Sequence, residues 1–352
     1  MKPIVARTAK HSQTLTKLRR GYFPIIIISD THFFKRQNLA RLLYEFLSWV
    51  DYSLLIKNGD IIDGWYIEDL PYKPISEWEK RVLDIQTARR FEGKEEIQIP
   101  GNHDHRFRKI NGLFQQPIPF GESDPGIIFK HEHLLDLMEY PQVRIRHGDQ
   151  HDAHLLKYLK ERPKYHIGHK IVIEARELGL SLHQSATQLS HGLLGQHFSV
   201  VDAFKHAANR GPNLLLKKQL GFISRYQDVV KEAVKNSDYS GEINGHIHKL
   251  YLEYFRDETT GRRLMIANSG DWSESGSALG IDEDGFIHTL DWYRMRLKLG
   301  FRNLPRITDE NPFRKYRPFT EQQIEFIRSI WPSAVKNNLK RKLENRDRRP
   351  GI

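Results

Sequence analysis

The chain has 352 residues, which is enough for one large domain or two ordinary domains with a sizeable buried core. It contains no cysteine, and this excludes disulfides, zinc ribbons, thiol nucleophiles and iron–sulfur clusters. The longest purely aliphatic run covers residues 25–28, far short of the roughly 18–20 apolar residues of a membrane span.

The net charge of +11 is concentrated at the two ends of the chain. Residues 1–23 hold six Lys/Arg and no Asp/Glu, residues 334–352 hold seven Lys/Arg and two Asp/Glu, and the remainder is balanced. We expect solvated basic termini; an alternative use for them is contact with an anionic surface, either phospholipid or nucleic acid. Residues 1–23 lack the apolar core of a secretion signal, so we expect a cytoplasmic protein, with peripheral membrane contact as the further option.

The first third of the chain alternates between strand-like and helix-like patterns. Four isoleucines within residues 24–30 predict a buried parallel strand, and residues 53–58 and 96–100 predict two more. Between them, residues 38–50 place their apolar side chains on one helical face, and a capping box opens a second helix over residues 76–91. This β-α-β-α-β order is typical of a parallel sheet in an α/β layer fold.

The second half of the chain interrupts this alternation. A short strand at residues 143–146 is followed by helical apolar patterns over about 152–235, which we interpret as an inserted helical cap. Strand patterns then resume with glycine-containing turns, and the last three of them indicate antiparallel strands. The later strands are expected at residues 239–243, 250–256, 262–267 and 277–281, and a last helix is expected after Thr320.

Polar residues that can bind metals or transfer protons follow five of the predicted strands, at the point where each strand ends. In an open α/β sheet, this edge is where ligands bind. Carboxylate, amide and imidazole donors without thiolates suit Mn, Fe, Co, Ni or Zn, and seven such ligands are too many for one ion. Two ions sharing a carboxylate would use them all and would activate a water for attack on a phosphoryl group. The five blocks are Asp30-x-His32, Gly59-Asp60-x-x-Asp63, Gly101-Asn102-His103-Asp104, His147-Gly148-Asp149 and Gly245-His246-x-His248.

In this order, the five blocks resemble the calcineurin-like metallophosphoesterases over residues 25–248. The resemblance implies a four-layer αββα sandwich with a binuclear centre, in which Asp60 bridges two divalent ions, Mn²⁺ being the expected one. It also implies that His103 is the general acid or phosphate-contacting residue and that Asp104 orients it. The implied ligands are Asp30, His32, Asp60 and His248 for one ion, and Asp60, Asn102, His147 and His246 for the other.

The same resemblance divides the chain into three parts. The family domain would cover residues 24–300, with the helical cap at about 152–235 inside it. A basic N-terminal segment, residues 1–23, would precede the domain, and a basic C-terminal extension, residues 301–352, would follow it.

A narrower resemblance, to the UDP-2,3-diacylglucosamine hydrolase branch, lies in residues 59–65, 147–149 and 268–275. It implies a nucleotide–sugar–lipid substrate and cleavage of its pyrophosphate to UMP and an acylated sugar phosphate. The chain departs from the lipid A enzymes of that branch at His103, where they carry arginine, and in the two residues after Asp104. Its basic ends also make it longer.

Two other functions are compatible with the same blocks. A phosphodiesterase or nuclease acting on nucleic acid or cyclic nucleotides is favoured by the basic ends, although the basic residues are not interleaved with aromatics near the site. A non-catalytic scaffold would normally have lost ligands, whereas all seven are present. Of the remaining polar residues, Asp63 is expected to be a structural carboxylate or to support a ligand, and His151 is a weaker candidate for such support.

Overall fold

The computed structural model describes residues 21–34, 38–63, 75–109, 117–119, 123–152, 154 and 222–307. In its first half, the chain forms the predicted β-α-β-α-β order, with every boundary within two residues of expectation. The capping box is present, because the Ser76 hydroxyl accepts a hydrogen bond from Glu79 N and the Glu79 carboxylate accepts one from Ser76 N. The elements are β1 (Tyr22–Ile28), α1 (Ala40–Trp49), β2 (Asp51–Asn58), α2 (Glu77–Phe91) and β3 (Glu95–Ile99).

The later part of the described chain contains four elements that the sequence patterns did not predict. They are the strands Ile128–Phe129, His133–Leu137 and Ile287–Asp291 and the helix Trp292–Lys298. They are short or lack a clear alternation, which is why the patterns miss them. The set comprises β4 (Ile128–Phe129), β5 (His133–Leu137), β6 (Tyr140–Ile145), α3 (Phe222–Lys235), β7 (Gly241–Asn244), β8 (Tyr251–Arg256), β9 (Arg263–Asn268), β10 (Ser277–Ile281), β11 (Ile287–Asp291) and α4 (Trp292–Lys298).

The described strands form two mixed sheets. The first has the order β11-β10-β1-β2-β3-β4, with β1 to β4 parallel and β10 antiparallel to both of its neighbours. The second has the order β5-β6-β7-β9-β8, with β6, β7 and β9 parallel and an antiparallel strand at each edge. Strand β10 therefore does not continue the antiparallel pair β8–β9. It crosses to the first sheet, where all five of its residues are buried.

The two sheets pack face to face with helices on both outer sides, so the architecture is the expected αββα sandwich. The core between the sheets contains Ile27, Ile56 and Ile97 from the first and Val143, Ile243 and Met265 from the second. Outside the first sheet, a separate apolar cluster packs Leu43, Phe46, Val82, Ile85 and Trp292 of α1, α2 and α4 onto β1 and β2. Outside the second sheet, Tyr226, Val230 and Val234 of α3 pack against Leu264 and Ile266 of β9.

Several predicted segments lie outside the described residues. They include most of the expected cap, the helix expected after Thr320, and both basic ends except for residues 21–23 and 301–307. Of the range assigned to the cap, Phe222–Lys235 is helix α3, and this helix is the outer layer of the second sheet. None of the described helices has the length and hydropathy that a membrane-spanning helix needs.

The topology brings the five polar blocks to one edge of the sandwich. Strands β1, β2 and β3 are parallel in the first sheet, and β6 and β7 are parallel in the second. Each block begins within two residues of the C-terminal end of one of these five strands. Backbone hydrogen bonds connect the loops within each sheet, from Asp30 N to Gly59 O (3.0 Å) and from Gly245 N to His147 O (2.9 Å). Between the sheets, His246 N donates to Asp30 Oδ2 at 3.0 Å.

Candidate metal centre

Six of the seven predicted ligands are His or Asp residues, and the structure brings these six together in groups that can hold a metal ion. In each group, the potential ligand atoms all lie within 4.8 Å of one another. All six side chains are buried or nearly so. The groups are Asp30 with His32 and His248, His32 with Asp60 and His103, and Asp60 with His147 and His246.

On one side of the centre, Asp30 faces two imidazoles. Its Oδ1 lies 3.0 Å from His248 Nε2 and 3.9 Å from His32 Nε2. The two Nε2 atoms of these histidines are themselves 3.3 Å apart. Three donor atoms thus converge on one small volume, as the ligands of a single ion do.

On the other side, Asp60 faces His147, with Oδ2 3.2 Å from His147 Nε2. Its Oδ1 accepts a hydrogen bond from His103 N at 2.8 Å. The ring of His246 lies 5.1 Å from the ring of His147, centroid to centroid. Because Asp60 also belongs to the group with His32, its carboxylate lies between the two sides of the centre.

The loops hold these residues in backbone conformations that ordinary residues rarely adopt. The φ angles are +53° at Asp30, +46° at His32, +52° at Asp60, +70° at His246 and +57° at His248. Each such conformation costs on the order of 1–3 kcal/mol and persists only when its surroundings impose it. Five of them at one edge of the sandwich indicate that the loops place these side chains at a cost in stability.

Two glycines, Gly59 and Gly101, lie so close to ligand side chains of the centre that a larger residue would not fit. A Cβ atom on Gly59, which has φ of +85°, would lie 2.1 Å from His147 Nδ1. A Cβ atom on Gly101 would lie 2.2 Å from Asp60 Oδ1. Any larger residue at either position would therefore push a ligand side chain out of place.

The remaining predicted residues are placed as follows. Asn102 is buried in the loop that follows β3, and its backbone carbonyl oxygen accepts a hydrogen bond from His105 Nδ1 at 2.9 Å. His103 Nε2 is 4.0 Å from Asp60 Oδ2, so this ring borders the centre. The Asp104 carboxylate accepts hydrogen bonds from the backbone amides of Gly101 and Ile61, and its implied role in orienting His103 stays a prediction. A carboxylate that does contact the ring is that of Asp63, whose Oδ1 is 3.1 Å from His103 Nδ1.

Outer contacts fix which nitrogen each imidazole presents. His147 Nδ1 donates to Asn58 O at 2.9 Å, and His32 Nδ1 donates to Asp63 Oδ2 at 3.1 Å, so both rings turn Nε2 inward. His248 Nδ1 lies 3.4 Å from Ser273 Oγ. The supporting role expected of Asp63 thus has a geometric basis, since it contacts two rings of the centre.

Two supporting contacts were not foreseen from the sequence. Asp152 Oδ1 accepts a hydrogen bond from His246 Nε2 at 3.0 Å. Asp271 lies behind Ser273, with its Oδ2 2.8 Å from the Ser273 hydroxyl and 3.7 Å from His248 Nδ1. His151, the weaker candidate, instead contacts Glu242, with 2.5 Å between Nε2 and Oε1. The sequence signal that could have identified Asp152 is its position next to His151, in the same segment as the proposed ligand His147.

Buried carboxylates and imidazoles lie close together in the centre, and they shift one another's pKa values. Burial opposes ionisation, but His147 and His103 hold the pKa of Asp60 well below its ordinary value. Burial lowers the pKa of His147, but the adjacent carboxylate of Asp60 outweighs it and raises that pKa to about 10. Burial and the negative charge of Asp60 raise the pKa of Asp104 to about 6. The raised pKa of His147 and the lowered pKa of Asp60 have one cause, because each buried charge is stabilised by the opposite charge beside it.

This donor set fits divalent transition metals. Oxygen and imidazole ligands without sulfur suit Mn, Fe, Co, Ni and Zn. Among the described residues, Asp30 Oδ1 and His147 Nε2 are buried and have no hydrogen-bond partner, although each faces an ionisable neighbour. Atoms of this kind are the ones that a bound ion would satisfy.

Comparison with known structures gives distant likenesses. Vacuolar protein sorting 29 from Cryptosporidium parvum is 12% identical, over 75% of this chain and 94% of that one, with a TM-score of 0.29. A predicted phosphoesterase from Streptococcus pneumoniae is 12% identical, over 76% and 89%, with a TM-score of 0.27. A dimetal phosphatase from Danio rerio is 12% identical, over 77% and 99%, with a TM-score of 0.32. No curated protein sequence matches the chain.

The sequence model of the calcineurin-like phosphoesterases matches residues 23–250, about two thirds of the chain. That range contains all five polar blocks and every group of metal-binding side chains described above. The chain thus belongs to the calcineurin-like phosphoesterase family and is a metal-dependent phosphoester hydrolase.

Proposed function

We propose that the centre holds two divalent ions and hydrolyses a phosphoanhydride or phosphodiester. Asp30, His32, Asp60 and His248 would hold one ion, and Asp60, Asn102, His147 and His246 the other, with Mn²⁺ as the first choice of metal. The observation that carries this proposal is the position of Asp60, which belongs to a ligand group on each side. When bound, the ions would supply an activated water and withdraw charge from the phosphoryl oxygens.

In this proposal, His103 delivers the proton that the leaving group needs. Its Nδ1 is engaged by Asp63, so Nε2 is the nitrogen that can face a substrate. Burial raises the pKa of Asp63, but the hydrogen bonds from His103 and His32 outweigh it and hold that pKa below the ordinary value. The resulting carboxylate stabilises a protonated imidazole beside it, as a general acid requires.

For the substrate, we propose a pyrophosphate of the UDP-2,3-diacylglucosamine type. Support comes from the sequence blocks at residues 59–65, 147–149 and 268–275. The third block contains Asp271 and Ser273, and these two residues stand behind His248, so the block is part of the metal centre's surroundings. We further propose that the basic ends of the chain bring the enzyme to an anionic lipid surface, where an acylated substrate resides.

The test is an assay of the purified protein with Mn²⁺ on four substrates: the UDP-linked acylated sugar, an unacylated UDP-sugar, bis(p-nitrophenyl) phosphate and single-stranded DNA. We expect release of UMP from the acylated substrate and about two ions per chain by elemental analysis. The Asp60→Ala variant should lose at least one ion and its activity, whereas Asp136→Ala, a substitution on the exposed face of β5, should retain both. DNA as the preferred substrate would replace the pyrophosphate proposal with a nuclease. Inactivity on all four with two bound ions would reject the pyrophosphate assignment.

A further inference from the structure

Asp152 makes a short contact with one of the proposed ligands. Its Oδ1 lies 3.0 Å from His246 Nε2, and both side chains are almost fully buried. An ionised carboxylate only accepts hydrogen bonds, so the ring must donate its Nε2 proton. The nitrogen that remains for a metal ion is therefore Nδ1.

This orientation is the reverse of that of His248, which lies two residues further along the same loop. The Nε2 atom of His248 is turned toward Asp30, at 3.0 Å, and its Nδ1 is turned toward Ser273. The two histidines thus present different nitrogens to the two sides of the centre. An imidazole has no intrinsic preference strong enough to enforce this, so the outer partner of each ring selects the nitrogen.

Asp152 is itself held in place from two directions. It ends the short helical turn Asp149–His151, in which His151 N donates to Gly148 O at 3.0 Å. The His151 ring is bound by Glu242 of β7, and the Tyr226 hydroxyl of α3 donates to Gly148 O at 2.8 Å. The turn is therefore anchored to a strand and to a helix, and Asp152 has little freedom to move away from His246.

We propose that Asp152 is a positioning residue that fixes the tautomer and orientation of His246, and thereby sets the affinity of the ion held with Asp60 and His147. The proposal rests on the binuclear function proposed above. It assigns Asp152 no contact with the substrate. Its effect should be confined to one of the two ions, because Asp152 contacts neither His32 nor His248 in the described structure.

The test is a titration of chelator-treated protein with Mn²⁺, followed by calorimetry, for wild type, Asp152→Ala and Asp152→Asn. Loss of an outer partner of a ligand histidine typically weakens metal binding by about 10–100-fold, and we expect a loss of that size for one ion in Asp152→Ala. The second ion should bind with wild-type affinity. Asp152→Asn should restore most of the loss, because its amide oxygen still accepts the Nε2 proton.

A spectroscopic measurement separates this role from general support of the fold. In metal-free protein labelled at histidine with ¹⁵N, wild type should show a slowly exchanging ring N–H at His246 Nε2. The signal should disappear in Asp152→Ala and persist in Asp152→Asn. Asp136→Asn is the control, since Asp136 lies on the exposed face of β5 and its Oδ1 accepts a hydrogen bond from Gln142 N at 3.0 Å. It should change neither affinity.

Three results would overturn the proposal. The first is wild-type affinity for both ions in Asp152→Ala. The second is an equal loss in Asp152→Asn and Asp152→Ala, which would mean that charge alone matters. The third is weakening of both ions together, which would indicate disruption of the fold. Fewer than two ions in the wild-type titration would instead reject the binuclear function, and this role with it.

Discussion

Asp63 Oδ1 lies 3.1 Å from Nδ1 of His103, the residue proposed to protonate the leaving group. The other oxygen of the same carboxylate lies 3.1 Å from Nδ1 of His32, a proposed metal ligand. The rings of the two histidines meet edge to face, with 4.6 Å between their centroids. A single buried carboxylate therefore orients both a proposed proton donor and a proposed metal ligand.

The first prediction follows from this shared contact. Asp63→Ala should lower kcat on a poor leaving group by about 10²-fold or more through His103, and should weaken metal binding by about 10–100-fold through His32. In Asp63→Asn, one amide atom accepts a proton but the other donates, so only one of the two imidazoles keeps a suitable partner. This variant should retain one of the two properties. Metal titration and kcat at saturating Mn²⁺ would measure them separately, and full retention of both would contradict the shared role.

Much of this arrangement follows from local sequence. The strands β1, β2 and β3 are short, largely buried segments that are each followed within two residues by a polar block, and the parallel order of such strands puts their carboxyl ends at one edge. The capping box that starts α2 is formed by Ser76 and Glu79, so the signal lies within a stretch of four residues. Such signals are contained in one stretch of sequence, which is why they predict the fold class and the residues of the centre together.

The outer contacts were harder to predict because they join residues far apart in the chain. Asp152 meets His246 across 94 residues, and the backbone pairing of Ile26 and Gly280 joins β1 to β10 across an even longer interval. No local pattern indicates that a given carboxylate will face a given imidazole. The contact between Asp63 and His103 has the same character, since it joins two residues that lie 40 positions apart in the chain.

The second prediction concerns Glu242, a fully buried carboxylate of β7. Burial alone would raise its pKa, but contacts with His151, Arg146 and Arg144 lower that pKa below the ordinary value. Its stabilising contribution is therefore complete above the unfolded-state pKa of about 4.3 and is lost as the pH falls further. Glu242→Gln should cost about 3–5 kcal/mol in free energy of unfolding at pH 7, because it leaves the cations unpaired.

Chemical denaturation of metal-free protein at several pH values would test this. The difference between wild type and Glu242→Gln should shrink as the pH falls below about 4.3, because the unfolded wild-type chain then binds a proton that native Glu242, with its lowered pKa, does not bind. Glu253→Gln is the matched control. Glu253 of β8 pairs with Lys231 of α3, both side chains are partly exposed, and the pair should contribute only about 0–1 kcal/mol to the free energy of unfolding. A difference that grows on acidification would mean that Glu242 is protonated in the native protein.

The third prediction concerns the basic ends. Removal of residues 1–20 and 336–352 takes away the whole formal net charge of +11. Binding to vesicles containing anionic phospholipid should weaken, and the effect of salt on binding should diminish. Turnover of bis(p-nitrophenyl) phosphate should hardly change, since the described centre lies within residues 30–273. Vesicle co-sedimentation and a parallel assay measure the two properties, and a collapse of turnover would show that the ends belong to the catalytic domain.

The last prediction separates the roles of His103 and Asp60. A positioned general acid typically contributes about 10²–10⁴-fold to the rate. His103→Ala should lower kcat by that factor on a substrate with a poor leaving group and should keep both ions. The loss should be much smaller with p-nitrophenolate as the leaving group, because that anion hardly needs a proton. Asp60→Ala, unlike His103→Ala, should lose at least one ion, and its activity should fall on both substrates.

The comparison of leaving groups also decides between two possible roles of His103 itself. Equal losses on good and poor leaving groups would exclude proton donation and would indicate that His103 stabilises charge on the phosphoryl oxygens. Arginine, which the lipid A enzymes of the resembling branch carry at this position, can stabilise such charge but cannot donate a proton at neutral pH. His103→Arg is therefore the informative variant: it should restore activity in the charge-stabilising case. In the proton-donor case that we propose, it should remain as slow as His103→Ala on a poor leaving group.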